Sequence, residues 1–122
     1  MVLSLNCLLT EEKVIVNVII GMTTKINDVD IEFKDLNIEC FTKILPRKEK
    51  IKNRGITEMK IWKLNRKVSS KPTPEIKVEN CDEMMHPTDD LADYFNEENK
   101  KPEKKLIHII IQPLFQTMMA TI

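Results

Sequence analysis

The chain has 122 residues, 42% of them hydrophobic and 31% charged, which suits a single soluble domain with one modest core. Nineteen basic and nineteen acidic residues give a net charge of zero. This balance excludes a positive electrostatic potential over the whole surface that would attract nucleic acid or an anionic membrane. A local basic patch is still compatible with it. Only two glycines occur, Gly21 and Gly55, so we expect neither a glycine-rich phosphate loop nor the nucleotide site that depends on one.

The three cysteines do not indicate a disulfide framework, because Cys7, Cys40 and Cys81 form an odd and widely spaced set. Cys7 and Cys40 lie within apolar patterns, which is typical of small core residues. No apolar run approaches the roughly 20 residues that a transmembrane helix needs. The short apolar run at the N-terminus has no basic region before it, so we predict a strand there rather than a signal peptide.

Two segments near the N-terminus predict a β-hairpin. Residues 2–9 (VLSLNCLL) alternate in part, and residues 14–20 (VIVNVII) are rich in β-branched side chains, with the polar turn TEEK between them. Residues 21–34 are polar and mixed, and we predict an extended insertion there.

Residues 35–45 (DLNIECFTKIL) predict the main helix, because their apolar residues recur at the spacing of one helical face. Asp35 is the expected N-cap, and Pro46 is expected to end the helix after Leu45. Residues 46–55 (PRKEKIKNRG) follow as a predicted basic loop.

A third strand is predicted at residues 58–65 (EMKIWKLN), where the side chains alternate between two faces. In this pattern Ile61 points towards the helix, whereas Trp62 and Leu64 point to the opposite face. Residues 66–80 contain two prolines and few apolar residues, so we predict a long connection.

Residues 86–95 (HPTDDLADYF) predict a short second helix. Thr88 is its expected cap, and Leu91, Tyr94 and Phe95 are expected to pack inward.

The longest near-unbroken apolar run, Leu106–Pro113 (LIHIIIQP), predicts the central strand of the sheet. Its four isoleucines are β-branched, and the absence of polar alternation indicates burial on both faces. We expect this strand to lie parallel to the first strand and to end at Pro113, which cannot donate to a ladder.

The resulting element order is β-β-α-β, a long connection, a short helix and a central β. One helix crossing a mixed sheet whose first and last strands are adjacent is the β-grasp arrangement of ubiquitin, with a right-handed crossover after the hairpin. The predicted fold is therefore α+β and ubiquitin-like, with one main helix and a short second helix.

Several segments, in this order, resemble the N-terminal header domain of Crinkler effectors in its fungal form: LSLNCLL, DLNIECFTKIL, MKIWKLN and DDLADYF followed by LIHIIIQP. The resemblance spans Leu3 to Pro113 and implies a ubiquitin-like Crinkler header domain over residues 1–113 with a C-terminal tail over 114–122. The ubiquitin-like fold that this family implies agrees with the element order. The resemblance also implies secretion and entry into a host cell, with the host nucleus as one destination.

The chain departs from the family pattern at two motifs. The translocation motif LxLFLAK is echoed only by residues 5–9 (LNCLL), and the closing HVLVVVP is matched loosely by residues 108–113 (HIIIQP). The family's kinase-like, nuclease-like or NTPase modules have no room after residue 113, so we expect an N-terminal Crinkler domain alone, which acts by binding.

The function implied is a secreted, non-catalytic trafficking and protein-interaction module in a host cell. The alternative is an intracellular ubiquitin-like adaptor that docks a protein partner through its sheet face. The expected partner is a host or self protein, with a homodimer as one option. We expect no enzyme activity and no cofactor, because no motif has catalytic spacing, and the zero net charge argues against nucleic acid.

Chemistry-bearing side chains are sparse. Cys81, His86 and His108 fit no tetrahedral zinc spacing, so no metal site is predicted. His108 is expected to be a strand residue with its ring hydrogen-bonded or at the sheet edge. Cys40 on an apolar helical face is the wrong environment for a thiolate nucleophile. The remaining acidic cluster is expected in a solvated loop with a capped helix: Asp82, Glu83, Asp89 and Asp90.

Five cations within eight positions form a candidate basic patch: Arg47, Lys48, Lys50, Lys52 and Arg54. Such a patch can bind phosphate or a nuclear import receptor. A solvated loop between helix and strand accounts for the same charges, and we favour that interpretation.

A second candidate surface is apolar and would bind a partner through four residues: Trp62, Leu64, Leu114 and Phe115. On this hypothesis Trp62 is an exposed anchor on the open sheet face, and Met118 and Met119 add apolar area beside it. The competing interpretation packs Trp62 beneath Leu114 and Phe115.

Overall fold

A five-stranded mixed sheet carries the fold in the computed structural model, which describes residues 2–10, 13–98 and 100–114. The strands are β1 Leu3–Leu9, β2 Val14–Ile20, β3 Thr23–Ile26, β4 Val29–Glu32, β5 Met59–Lys63, β6 Glu83–Met84 and β7 Ile109–Pro113. The helices are α1 Ile38–Ile44, α2 Glu49–Lys52 and α3 Leu91–Tyr94, with short 3-10 turns at Phe33–Asp35 and Leu45–Arg47. The α+β class predicted from the sequence is confirmed.

The sheet order is β2-β1-β7-β5-β6, so β7 occupies the centre, as the apolar run at 106–113 predicts. It lies parallel to β1 and antiparallel to β5. Ile109, Ile110 and Ile111 are all fully buried, because the strand has a packed layer on each face. The regular strand begins at Ile109 rather than Leu106, since Leu106 forms an isolated bridge with Ser69 in the long connection.

The first two strands form the predicted antiparallel hairpin, with Leu3 opposite Ile20 and Leu9 opposite Val14. The predicted extended insertion is instead a second hairpin, β3-β4, in a sheet of its own. Asn27 and Asp28 form its two-residue turn, and both have positive φ, which favours this tight connection.

Helix α1 begins later than predicted, and its cap is Asn37 rather than Asp35. The Asn37 Oδ1 accepts the backbone N–H of Cys40 at 2.8 Å, while Asp35 belongs to the preceding 3-10 turn. The helix ends at Ile44, and Pro46 lies in the turn that follows. Its inward face buries Ile38, Phe41 and Ile44 against the sheet.

Two further local predictions need correction. Residues 46–55 are not a simple loop, because α2 lies there and buries Ile51 completely. The cap of α3 is Asp90 rather than Thr88, since Asp90 and Asp93 form a reciprocal capping box. The inward packing predicted for Leu91, Tyr94 and Phe95 is confirmed, because all three are buried.

The sheet face opposite α1 is covered by a second apolar cluster. Leu8, Leu64, Ile107 and Ile110 are buried there, and side chains of the long connection pack over them: Val68, Ile76 and Val78. The prediction that this face is open is therefore wrong at Leu64, which is 7% exposed. Within the described residues, no helix is long and apolar enough to cross a membrane.

Candidate functional site

The predicted apolar docking residues do not form one open surface. Trp62 is half-buried in the cluster opposite α1, and its Nε1–H donates to the Gln112 Oε1 at 3.0 Å. Leu114 is 51% exposed and lines a cleft on the α1 side of the sheet, together with Met59 and Ile61. Phe115, Met118 and Met119 lie outside the described residues. Leu64 is buried on the other face, so the structure separates Leu114 from Trp62 and Leu64.

The longer of the two edge strands of the sheet is β2, and the backbone of Asn6 shows which of its groups point outward. The Asn6 N–H donates to the His108 Nδ1 at 2.8 Å, and the Asn6 carbonyl accepts the His108 N–H at 2.9 Å. Asn6 therefore directs both backbone groups towards β7. Its antiparallel partner Asn17 sits at a non-hydrogen-bonded position of the β1-β2 ladder, so the Asn17 backbone groups point away from β1.

The same alternation turns the backbone groups of Ile15 and Ile19 outward. Among the residues that the structure describes, no strand pairs with this side of β2. The Ile15 carbonyl accepts the Lys50 Nζ at 3.2 Å, which is consistent with an outward direction. The groups of Asn17 and Ile19 form the part of the edge that a further strand can reach. We call these two residues with Ile15 the β2 edge.

A cleft of about 240 Å³ runs beside the β2 edge. Its sheet side is formed by residues 15–17, and its other side is formed by Lys48, Glu49 and Lys50. The Ile19 side chain, 58% exposed, lies farther along the same strand. The cleft thus combines unpaired strand groups, β-branched side chains and two lysines against one glutamate.

The side chain of Asn17 is already satisfied within the sheet. Its Nδ2 donates to the Ser4 Oγ at 2.8 Å and to the Asn6 Oδ1 at 2.9 Å, and these bonds tie β1 to β2 on the sheet face opposite α1. These hydrogen bonds of the Asn17 side-chain amide fix the strand at this position. The edge is therefore held in an extended form before any partner binds.

The five cations of the predicted basic patch are divided by the structure. Arg47 Nη1 donates to the Lys25 carbonyl at 2.8 Å, and Arg54 Nη1 donates to the Lys50 carbonyl at 2.5 Å. Both guanidinium groups therefore bind the protein's own backbone. Lys48 and Lys50 border the cleft, while Lys52 is exposed on α2 outside it. The two arginines therefore have a structural role, whereas Lys48 and Lys50 line the cleft beside β2.

Among the acidic residues, Asp82 is not solvated as expected but buried. Its Oδ2 accepts the Arg66 Nη2 at 3.1 Å and the Glu79 N–H at 2.9 Å, and its Oδ1 accepts the Asn65 N–H at 3.3 Å. Burial alone raises the pKa of Asp82, but these hydrogen bonds outweigh it and hold the pKa below its usual value. The site is an ion pair that anchors the long connection, and sequence reasoning missed it.

The other polar candidates are dispersed. Cys81 and His86 are exposed, whereas His108 is buried with both ring nitrogens in hydrogen bonds, as one of its two predicted placements has it. In the described part of the chain, no three or more histidine, cysteine or acidic side chains come together as a metal site. Burial raises the pKa of the Cys7 thiol to about 12, so this cysteine stays protonated.

Comparison of the chain with protein-family models, with curated proteins and with solved structures gives no match.

Proposed function

We propose that the chain is a non-catalytic, ubiquitin-like protein-interaction module that takes an extended segment of a partner protein onto the β2 edge. The observation that carries the proposal is the outward direction of the Asn17 and Ile19 backbone groups on a seven-residue edge strand. A strand with unpaired N–H and C=O groups is a template for strand addition.

The element order supports the ubiquitin-like part of the proposal. The chain forms a hairpin, then a helix, and its last strand lies parallel to the first strand. The sheet order is β2-β1-β7-β5-β6. The resemblance to the N-terminal domain of Crinkler effectors implies the same ubiquitin-like fold. The proposed role is therefore that of such a domain: secreted, acting in a host cell, and working by contact rather than by chemistry.

The chemistry of the cleft indicates what kind of segment fits. The side chains of Ile15 and Ile19 lie on the sheet face opposite α1. A partner strand with β-branched residues at alternate positions would pack beside them. Lys48 and Lys50 border the same cleft and favour a segment with acidic residues at one end. Two copies meeting at this edge would bring identical lysines together, and that like charge favours a different, acidic partner over a homodimer.

The proposal replaces the open sheet face as the docking surface, because Leu64 and Ile110 are buried beneath the long connection. The alternative role, an adaptor that remains in the producing cell, would use the same edge. Imaging of a tagged protein in producing and recipient cells separates the two roles, since signal confined to the producing cell contradicts the secreted role.

A peptide-display selection followed by amide hydrogen exchange tests the edge directly. We expect selected peptides to be extended and acidic, and to slow exchange at the Asn17 and Ile19 amides. The Val16 and Val18 amides already point towards β1, so they serve as internal references.

Two variants make this test specific. Ile19→Lys places a charge on the edge and Lys50→Glu reverses the charge of the cleft, so each should weaken peptide binding by roughly tenfold or more. Lys43→Gln, an exposed residue on α1, is the matched control. Peptides that bind the variants and the parent equally would show that the β2 edge is not the docking site.

A further inference from the structure

A second and larger cavity, of about 540 Å³, lies where β5 ends and the chain enters β7. Residues 63–67 form one wall, residues 100–103 form another, and the floor is largely apolar and aromatic: Tyr94, Phe95, Leu106 and Ile107. None of its lining residues borders the cleft beside β2. Its size lies within the roughly 300–1,000 Å³ typical of small-molecule sites.

The charges around this cavity are strongly one-sided in a chain of zero net charge. Five cations line it, with Glu103 as the one carboxylate of the lining: Lys63, Arg66, Lys67, Lys100 and Lys101. Arg66 is neutralised by ion pairs with Asp82 and Glu79, both at 3.1 Å, and Lys67 lies 3.8 Å from Glu103.

The remaining three lysines form no ion pair with a described residue. Within the described part of the chain, no carboxylate oxygen lies within 4 Å of the ammonium groups of Lys63, Lys100 or Lys101. Lys63 is half-buried and its Nζ lies 5.5 Å from the centroid of the Phe95 ring. The Lys100 Nζ donates to the Asp93 carbonyl at 2.7 Å, which ties that side chain to α3.

The pKa of Lys63 reflects its burial and its position near another lysine. Burial, and then the charge of Lys100, lower the pKa of Lys63, with Glu83 opposing the shift. The two like charges therefore repel each other, and of the two residues Lys63 is half-buried whereas Lys100 is exposed. A bound anion would relieve that repulsion, because it interacts with both charges at once.

We propose that this cavity binds a compact anion carrying two or more phosphate groups, held by Lys63, Lys100 and Lys101. Lysine binds phosphate as a point charge with three rotatable donors, so no glycine-rich loop or arginine fork is required. At least two negative charges are needed to match three ammonium groups. The Phe95 and Leu106 side of the cavity leaves room for a non-polar part of the same molecule.

The site suits a small molecule rather than a nucleic acid. A nucleic-acid strand requires a track of cations along its backbone. Here the three lysines line a single concavity, and Arg66 and Lys67 are already paired with carboxylates. The phosphate groups can belong to a soluble molecule or to the headgroup of a phosphorylated lipid, since the three lysines would contact the same atoms in both.

Calorimetric titration tests the proposal with pyrophosphate and inositol hexakisphosphate as probes and with sulfate for comparison. We expect both phosphate probes to bind and sulfate to bind at least tenfold more weakly. Lys63→Met, and the pair Lys100→Gln with Lys101→Gln, should each weaken binding by roughly tenfold or more, because each removes charge-assisted hydrogen bonds. Lys43→Gln, which removes one exposed charge on α1, should leave binding unchanged.

Three outcomes would overturn the proposal: no binding of either soluble probe or of vesicles that carry a bisphosphorylated lipid headgroup, equal losses in Lys43→Gln and Lys63→Met, or tighter binding of a single-stranded RNA oligonucleotide that depends on the same lysines. Flotation with vesicles containing phosphatidylinositol bisphosphate separates the sources, since vesicle binding without soluble binding assigns the lipid headgroup. Ile19→Lys should bind the probes normally, so failure at this cavity is distinguishable from failure at the β2 edge.

Discussion

Asn6 and His108 exchange two hydrogen bonds between β1 and the entrance to β7. The Asn6 N–H donates to the His108 Nδ1 at 2.8 Å, and the His108 N–H donates to the Asn6 carbonyl at 2.9 Å. Because Nδ1 accepts the hydrogen bond from the Asn6 N–H, the ring is neutral and carries its hydrogen on Nε2, which donates to the Glu103 carbonyl at 2.6 Å. One imidazole thus joins β1, the 103–108 segment and the central strand.

The first prediction is that His108 makes the fold less stable in mild acid. Burial lowers the pKa of His108 in the folded state below the ordinary value of 6.5, and a second proton would also place an N–H against the Asn6 N–H. The unfolded chain therefore binds more protons below about pH 6.5. The stabilisation is complete above that pH and declines as the pH falls towards the lowered pKa of the folded state.

Urea unfolding at about pH 7.5 and about pH 5 measures this effect. In His108→Gln the part of the pH dependence that belongs to this imidazole should disappear, although the variant is less stable at both pH values. His86→Gln, at an exposed position, is the control and should keep the parent's slope. An unchanged slope in His108→Gln would contradict the assignment.

The second prediction concerns the buried carboxylate of Asp82. Asp82→Ala leaves the N–H groups of Asn65 and Glu79 without their acceptor, and it removes the buried carboxylate that pairs with the Arg66 guanidinium. We expect the free energy of unfolding to fall by about 3–5 kcal/mol, as for other broken buried pairs. Glu79→Ala removes the more exposed partner of Arg66 and should cost about 0–1 kcal/mol. Similar losses in the two variants, measured by chemical denaturation, would argue against Asp82 as the anchor.

The third prediction tests whether the sheet has a packed layer on both faces. Ile110 and Ile111 are both fully buried but belong to different clusters, Ile111 on the α1 side and Ile110 beneath the long connection. Truncation of either to alanine should therefore destabilise the fold by about 2–5 kcal/mol. Ile19→Ala, at an exposed position on β2, should change stability by no more than about 0.5 kcal/mol. A small effect at Ile110 alone would mean that the connection does not cover this face.

The central strand could be predicted because its isoleucines are contiguous, and no polar residue interrupts Ile109–Ile111 to mark a wet face. The layer over Ile110 could not, because Val68, Ile76 and Val78 are separated by polar residues and two prolines, and match no helical or strand period. Tertiary contact, rather than local pattern, makes that segment part of the core.

The candidate sites show the same division between local pattern and long-range contact. The sequence places Lys48 and Lys50 in a charge run, but only the β1-β2-β7 register shows that they border an unpaired edge. Asp82 looked solvated because its partner Arg66 is 16 residues away in sequence. Asp35 and Asn37 are both good N-cap residues, and packing of Ile38 against the sheet decides in favour of Asn37.

The last prediction is that Trp62 contributes to stability rather than to docking. Its indole packs in the cluster opposite α1 and its Nε1–H donates to Gln112. Because the side chain is half-buried, Trp62→Ala should lower the free energy of unfolding by about 1–3 kcal/mol. Trp62→Phe keeps much of the ring packing and loses the hydrogen bond, so it should cost less, about 0.5–1.5 kcal/mol. Peptides selected on the β2 edge should bind Trp62→Phe as they bind the parent, and a tenfold loss of binding in this still-folded variant would restore the sheet face as the docking surface.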